Sequence, residues 1–200
     1  MKNLNEMTID ERYELACNAS TPAEVLAALA KDADKDVRYR VALNASTPSE
    51  VLAALAKDKR KWVRYAVARN ANTPDRTLAK FAKDEDVYVR CRVAINDSTP
   101  AEVFAALATD ADWNVRYRVA LNASTPAGVL AALAKDKDMR EAVARNLHTT
   151  ADVLAALAKD EDVHVRYRVA LNASTPAGVL AELAKDKRKD VREAAARCNR

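Results

Sequence analysis

The sequence predicts an all-α protein built from seven repeats of about 26 residues, each folding into two helices. Three observations predict this fold. A turn motif recurs at a nearly constant spacing, an apolar stripe of helical period follows each copy, and a short segment beginning with Val-Arg or Met-Arg precedes the next copy. Since 50% of the 200 residues are hydrophobic, the chain has enough apolar material for a continuous core.

The turn motif has the form Asn-x-Ser/Asn-Thr-Pro. It begins at Asn18, Asn44, Asn70, Asn96, Asn122 and Asn172, with an altered copy, Asn-Leu-His-Thr-Thr, at Asn146. The spacing is 26 residues except for one step of 24, between Asn122 and Asn146. The alignment of the repeats places the missing two residues in the loop before Met139, where a deletion is tolerated.

The segment after each turn motif is predicted to be a helix, which we call helix B. In the stretch 21–24, Thr-Pro-Ala-Glu, the threonine suits the N-cap, the proline the first helical position, and the glutamate the last position of a capping box. The stripe Val25, Leu26 and Leu29 continues from there to about Lys31. Helix B is therefore expected to span about three turns.

The segment 37–44, Val-Arg-Tyr-Arg-Val-Ala-Leu-Asn, and its counterparts are predicted to be a second, shorter helix, which we call helix A. It is short enough for part of it to be 3₁₀, and it needs packing from neighbouring repeats to persist. The closing asparagine suits the left-handed conformation that ends a helix. Residues 11–18 form a first, imperfect helix A, so we expect a capping segment at 1–17 and a single repeat domain at 18–200.

The pattern V-R-Y-x-V-A-x-N-x-x-T-P-x-x-V-L-x-x-L-A-x-D resembles the leucine-rich repeat variant motif over nearly the whole chain. The resemblance implies a right-handed superhelical α-solenoid, related to HEAT and armadillo arrays, that alternates α- and 3₁₀-helices and serves in binding. One described type of this family carries an iron–sulfur cluster in a cysteine-rich N-terminal segment. Residues 1–18 contain one cysteine, Cys17, so that cofactor is not expected here.

Two columns of the aligned repeats never change. An aspartate closes every helix B, at positions 32, 58, 84, 110, 136, 160 and 186, and an arginine begins every helix A, at positions 38, 64, 90, 116, 140, 166 and 192. A carboxylate and a guanidinium in every repeat predict an Asp/Arg ladder between consecutive repeats. The asparagine column likewise predicts a buried hydrogen-bond ladder.

The loop from helix B to helix A carries the least repetitive positions. Its aromatic members are Trp62, Tyr88, Trp113 and His164. Repeat scaffolds vary the residues that meet a partner, and exposed aromatic side chains are the usual anchors of protein contacts. The main hypothesis is therefore a scaffold that binds a protein through these four residues. The alternative interpretations are relaxed constraint on a loop, or tryptophans that cover the edge of the core.

A second arginine column supports a rival hypothesis, nucleic-acid binding. Its members sit at two positions three residues apart, hence on one face of helix A, and a column of tyrosines runs beside them. The candidates are Arg40, Arg69, Arg92, Arg118, Arg145 and Arg168. In this hypothesis the arginines contact phosphates and the tyrosines stack on bases. The alternative interpretation is structural: Glu141 with Arg145 forms an ordinary i,i+4 pair, and the tyrosines pack between repeats.

Other classes of function find little support in the sequence. No titratable residues stand apart from the repeat as an active site would require, so we expect neither an enzyme nor a cofactor. The two histidines lie at opposite ends of a repeat, and Cys17, Cys91 and Cys198 lie in separate repeats, which argues against a metal site and a disulfide framework. With no long apolar run and no secretory signal, we expect a cytoplasmic monomer that does not enter a membrane.

Overall fold

A computed structural model describes residues 3–198, without the side chain of Cys198. A 3₁₀ turn, Leu4–Glu6, precedes fifteen α-helices, and these residues contain no β-strand. The A helices are α1 (Ile9–Cys17), α3 (Lys35–Leu43), α5 (Lys61–Arg69), α7 (Val87–Ala94), α9 (Trp113–Leu121), α11 (Arg140–Arg145), α13 (Val163–Leu171) and α15 (Lys189–Cys198). The B helices are α2 (Ala23–Leu29), α4 (Ser49–Leu55), α6 (Asp75–Phe81), α8 (Ala101–Leu107), α10 (Ala127–Leu133), α12 (Ala151–Leu157) and α14 (Ala177–Leu183).

The chain divides between Val103 and Phe104 into two compact units. In the first unit, α1, α3, α5 and α7 pack each on the next, α2 and α4 pack on both flanking A helices, and α6 packs on α7. The second unit repeats this arrangement with α9, α11, α13 and α15 and with α10, α12 and α14. The prediction of an all-α chain of repeated helix pairs is confirmed, as is the first helix A, whereas the proposed division at residue 17 stays a prediction.

The relative lengths of the two helices are the reverse of those predicted. Helix B spans seven residues, about two turns, and most A helices span nine residues of α-helix. Helix A begins early because Asp34 is its N-cap and accepts hydrogen bonds from the N–H groups of Asp36 and Val37. Helix B ends early because Lys31 and Asp32 donate to carbonyls three residues back, which tightens the chain into a turn. The predicted deletion in the loop before Met139 agrees with the short helix α11.

The predicted capping box of helix B is also wrong. Pro22 is the N-cap, with an extended ψ of 149°, and no side chain caps the helix. The Thr21 hydroxyl instead donates to the carbonyl of Leu15 at 2.6 Å, and Thr47 makes the same bond to Val41. The threonine column therefore ties helix B to the preceding helix A. A capping box does form at α1, between Thr8 and Glu11.

The asparagine column forms the predicted buried ladder, but without the left-handed backbone. Asn44 has a φ of −68°, and no described residue, glycines included, has a positive φ. Its Nδ2 donates to the carbonyls of Ala16 and Asn18, both at 2.9 Å, while its Oδ1 accepts from the Ser46 N–H. This side chain makes the turn and joins two repeats at once, so a left-handed residue is not needed.

The Asp/Arg ladder is confirmed in both units. Arg38 Nε donates to Asp58 of the next repeat at 2.6 Å, and its Nη1 donates to the carbonyl of Asp32 at 2.8 Å. The same ion pair joins Arg12 to Asp32, Arg64 to Asp84, Arg116 to Asp136, Arg140 to Asp160 and Arg166 to Asp186. Each arginine thus links the loops of two consecutive repeats, which accounts for its constancy.

Candidate functional site

The four aromatic candidates lie on helices, not in the loops where we expected them. Trp113 is the first residue of α9, and Trp62, Tyr88 and His164 are the second residues of α5, α7 and α13. In α7, α9 and α13 the difference arises from N-cap aspartates, such as Asp86, whose Oδ1 accepts the N–H of Tyr88 at 2.9 Å and starts the helix sooner. Helix α5 starts equally early after Arg60, without a side-chain cap. The recurring Asp two residues before the variable position was the sequence signal for this early start.

In the first unit, two of these residues lie side by side. The ring centroids of Trp62 and Tyr88 are 6.0 Å apart, although 26 residues separate them in the chain. Trp62 also meets Tyr65 edge-on, at 5.5 Å. The side chains remain open to solvent, since Trp62 is 51% and Tyr88 55% exposed. The sequence pattern did not show that these equivalent positions of consecutive repeats would bring their rings into contact.

Lys61 completes this group, which we call the Trp62 patch: Lys61, Trp62, Tyr65 and Tyr88. The Lys61 ammonium lies 5.2 Å from the Trp62 ring and 5.4 Å from the Tyr88 ring. It also forms an ion pair with Asp86 at 3.0 Å. Burial acts to raise the pKa of Asp86, but hydrogen bonds from Lys61 and from the Tyr88 N–H outweigh it and lower that pKa. These contacts hold the rings in place before any partner arrives.

The second unit has a simpler arrangement at the equivalent positions. Trp113 is 54% exposed and packs on Tyr117 with the ring centroids 5.8 Å apart. His164 is exposed, and its backbone N–H donates to Asp162. Trp113 and His164 therefore do not meet in the manner of Trp62 and Tyr88, and each presents its own side chain to solvent.

The second arginine column is not uniform. Arg40 donates to the Tyr13 hydroxyl at 2.5 Å and lies over that ring, and Arg92 is held in the same way by Tyr65. Arg168 forms an ion pair with Glu141 at 2.9 Å. The other three candidates, Arg69, Arg118 and Arg145, are exposed. Tyr13 and Tyr65 therefore bind arginines of the following repeat, which reduces the availability of these two rings for stacking on bases.

The described residues hold no group of three or more His, Cys, Asp or Glu side chains that could bind a metal ion. Cys17 is exposed and Cys91 half-buried, and the side chain of Cys198 lies outside the described residues. Within residues 3–198, no helix is both long and apolar enough to cross a membrane.

Comparisons with known proteins place this repeat in a family. No family model and no curated protein matches the chain. Among solved structures, the chain is similar to a leucine-rich repeat variant with a novel repetitive structural motif, with 31% identity, a TM-score of 0.65, and coverage of 88% of this chain and 71% of that one.

Two further solved structures are more distant. An engineered protein shares 23% identity at a TM-score of 0.45, covering 94% of this chain and 73% of its own. An archaeal HEAT-like repeat protein from Thermococcus onnurineus NA1 shares 14% identity at a TM-score of 0.39, with 96% of each chain covered. The 31% identity to a solved member agrees with the predicted motif and with the helix pairs and their ladders. This chain is therefore an α-solenoid that belongs to the leucine-rich repeat variant family.

Proposed function

We propose that this repeat protein is a non-catalytic scaffold that binds a partner protein through the aromatic residues on the first turns of its A helices. Trp62, Tyr88, Trp113 and His164 are the contact residues in this proposal. Repeat solenoids are a fold typically used for interaction, and the extended surfaces they present are suited to it. The observation that carries the proposal is the pair of Trp62 and Tyr88, two large rings held together on adjacent helices and more than half exposed.

The exposed rings of the Trp62 patch favour binding energetically. Exposed tryptophan and tyrosine side chains release ordered water when they are covered, and they dominate the free energy of many protein interfaces. The Trp62 patch loses little conformational freedom on binding because Lys61, Tyr65 and Asp86 already restrain its rings. A monomer that needed these rings for stability would bury them.

Site-specific photo-crosslinking tests this proposal. Benzoylphenylalanine placed at position 62 or 88 is expected to capture one protein from a cell lysate, and the same residue at position 147 is not. Leu147 is a matched site because it is 60% exposed and lies outside the Trp62 patch. The double variant Trp62→Ala/Tyr88→Ala is expected to recover at least about tenfold less of the captured protein in a pull-down. Equal recovery by this variant and by Leu147→Ala would overturn the proposal.

Nucleic-acid binding by the arginine column stays a prediction with less support. It draws on the exposed side chains of Arg69, Arg118 and Arg145, whereas Arg40, Arg92 and Arg168 already have partners within the protein. Titration with short duplex and single-stranded DNA and RNA at two salt concentrations separates the hypotheses. Binding that weakens steeply with salt and is lost on Arg69→Ala/Arg145→Ala would favour nucleic acid.

A further inference from the structure

The B helices resemble one another closely, and α6 is the exception. Its second position is Arg76, where the other B helices have Glu24, Glu50, Glu102, Gly128, Asp152 and Gly178. Its sixth position is Lys80, where the others have Ala28, Ala54, Ala106, Ala132, Ala156 and Glu182. One helix of the array has therefore gained two positive charges at positions that are acidic or neutral in every other repeat.

These two charges do not stabilise the fold. Arg76 and Lys80 are four residues apart on α6, and like charges at this spacing weaken a helix. Both side chains are exposed, and within residues 3–198 neither forms an ion pair. An arginine in the first turn also opposes the helix dipole, which favours the glutamate found in other repeats; Asp75, beside it, supplies the acidic group of this turn. A substitution that disfavours the helix and gains no internal contact points to an external ligand.

Both residues line a groove between α4 and α6 with a volume of about 540 Å³. Its apolar lining consists of Ala53 from α4, Ala56 directly after α4, and Phe81 from α6. Phe81 is only 3% exposed, and the small alanines opposite it leave space for a side chain from outside. We call this cleft the α4/α6 groove.

The rim of the α4/α6 groove is strongly positive. Lys57 and Lys83, which follow the two B helices, join Arg76 and Lys80, and all four side chains are exposed. The carboxylate in the lining, Asp84, is bound by Arg64 Nε at 2.7 Å. Within the part of the chain that the structure describes, these four cations form no ion pair. They surround an apolar cleft, which is the charge arrangement that an acidic ligand complements.

When every lining residue is counted, two equivalent clefts carry balanced charge, whereas the α4/α6 groove, with Asp84 included, carries an excess of three cations. Between α2 and α4, Lys31 and Lys57 face Glu50 and Asp58. Between α10 and α12, the cations Lys135, Arg140 and Lys159 face the carboxylates Asp152, Asp160 and Glu161. The excess of positive charge therefore belongs to the α4/α6 groove and is not a general feature of these clefts.

We infer that the α4/α6 groove binds an acidic segment of a partner protein, with one apolar side chain seated against Ala53, Ala56 and Phe81 and flanking carboxylates on the four cations. A nucleic acid fits this groove less well, because Phe81 is buried and offers no exposed ring for a base to stack on. The inference rests on the proposed function in that the ligand is part of a protein, but it assigns a surface separate from the Trp62 patch.

The test uses short fluorescein-labelled peptides in which glutamates flank one central Leu, Phe or Trp, with fluorescence anisotropy as the readout. Wild-type protein is expected to bind at least one of them in about 0.15 M salt, and the matched peptides with glutamine in place of glutamate at least about tenfold more weakly. Arg76→Glu/Lys80→Ala introduces the residues that other repeats carry at these positions, so it should fold. This variant is expected to bind the acidic peptide about tenfold more weakly, or weaker still, than wild-type protein.

The control variant is Lys135→Glu/Lys159→Ala, which changes the net charge by the same amount at the α10/α12 cleft. If the charge effect is local, this control variant should bind the acidic peptide with an affinity within about twofold of wild type. An equal loss in both variants, the absence of binding by every acidic peptide, or tighter binding of a short DNA through the same residues would each overturn the inference. If Trp62→Ala/Tyr88→Ala abolishes partner capture while Arg76→Glu/Lys80→Ala leaves the affinity for the acidic peptide unchanged, the proposed function stands and this inference fails.

Discussion

The α4/α6 groove and the α10/α12 cleft are built alike and differ in their lining charges. Both have two B helices as walls, alanines in the lining, and a lysine after each helix. The asparagine and arginine ladders adjoin both: Asn70 and Arg64 in the first unit correspond to Asn146 and Arg140 in the second. The difference in charge is Arg76 and Lys80 against Asp152 and Ala156. The linings also differ at Thr77 and Phe81, which correspond to Val153 and Leu157. In this family member, the contacts that build a repeat are thus separate from the side chains that give a repeat its surface chemistry.

The largest expected effect concerns the construction shared by both regions. Asn70→Ala and Asn146→Ala each remove two hydrogen bonds to buried carbonyls of the preceding repeat and one to the following turn. Each variant is expected to lower the free energy of unfolding by about 2 to 4 kcal/mol, because those carbonyls lose their partner without gaining water. Urea unfolding followed by circular dichroism measures this effect. A loss below about 0.5 kcal/mol in either unit would show that the ladder does not support it.

The arginine ladder should give the next largest effect, together with a dependence on pH. The Arg166 hydrogen bond lowers the pKa of Asp186, and burial only partly opposes it. Burial of Asp58 acts to raise its pKa, but the hydrogen bonds from Arg38 and the Arg60 N–H outweigh it, so that pKa is lowered as well. Because each pKa lies below its unfolded value, the stabilisation is present above about pH 4 and is lost as the pH falls through the lowered folded value.

Arg38→Ala and Arg166→Ala are therefore each expected to lower the free energy of unfolding by about 2 kcal/mol at neutral pH, and by less at about pH 3. The corresponding lysine variants keep the charge but lose the paired donors, so they should fall between wild type and alanine. Denaturant unfolding at neutral and acid pH measures both. A loss that is the same at the two pH values would contradict the assignment of the stabilisation to ionised aspartates.

The Trp62 patch is expected to contribute little to folding. Trp62→Ala/Tyr88→Ala removes ring contacts and the cation–π contacts of Lys61, all on the surface, so the free energy of unfolding should fall by about 1 kcal/mol or less. Thermal unfolding of this variant beside Leu147→Ala checks the expectation. A loss above about 2 kcal/mol would mean that the rings cover the edge of the core, the interpretation that competes with binding.

The smallest effect on stability is expected at the α4/α6 groove. Arg76→Glu/Lys80→Ala removes a pair of like charges and places a carboxylate at a helix N-terminus, so stability should rise by up to about 0.5 kcal/mol. Urea unfolding with repeated measurements resolves a change of this size. Destabilisation would show that Arg76 or Lys80 takes part in building the repeat, and the contrast with the α10/α12 cleft would then be structural.

Most of the fold was predictable because repetition reveals which residues are constant. The aspartate, arginine and asparagine columns implied ladders, and Arg38, Asp58 and Asn44 form them. Helix boundaries were less accessible, since Thr21 can cap a helix or bind the preceding one, and the choice depends on tertiary contacts with Leu15. Likewise Asn44 can turn the chain by a left-handed backbone or by a side-chain bond, and the buried carbonyls of the neighbouring repeat favour the second.

The candidate site was predictable as a set of columns but not as a geometry. The sequence indicated Trp62 and Tyr88 as variable aromatic positions, whereas their 6.0 Å contact depends on how α5 packs on α7. The nucleic-acid hypothesis requires an arginine column that is free for a ligand, yet Tyr13 and Tyr65 bind Arg40 and Arg92. The charge of the α4/α6 groove was visible in the aligned repeats, as the reversal from Glu50 to Arg76, but its meaning required knowing that both helices line one cleft.

A transfer experiment tests most directly whether the side chains that line a cleft determine which ligand the cleft binds, while the repeat scaffold stays the same. In the Arg76→Glu/Lys80→Ala background, Asp152→Arg/Ala156→Lys gives the α10/α12 cleft the charges of the α4/α6 groove. The measurement is the affinity for the acidic peptide, and changes in amide chemical shifts show where the peptide binds. We expect binding to return to within about threefold of wild type, with shifts confined to α10 and α12. Intact folding without recovery of binding would contradict the account.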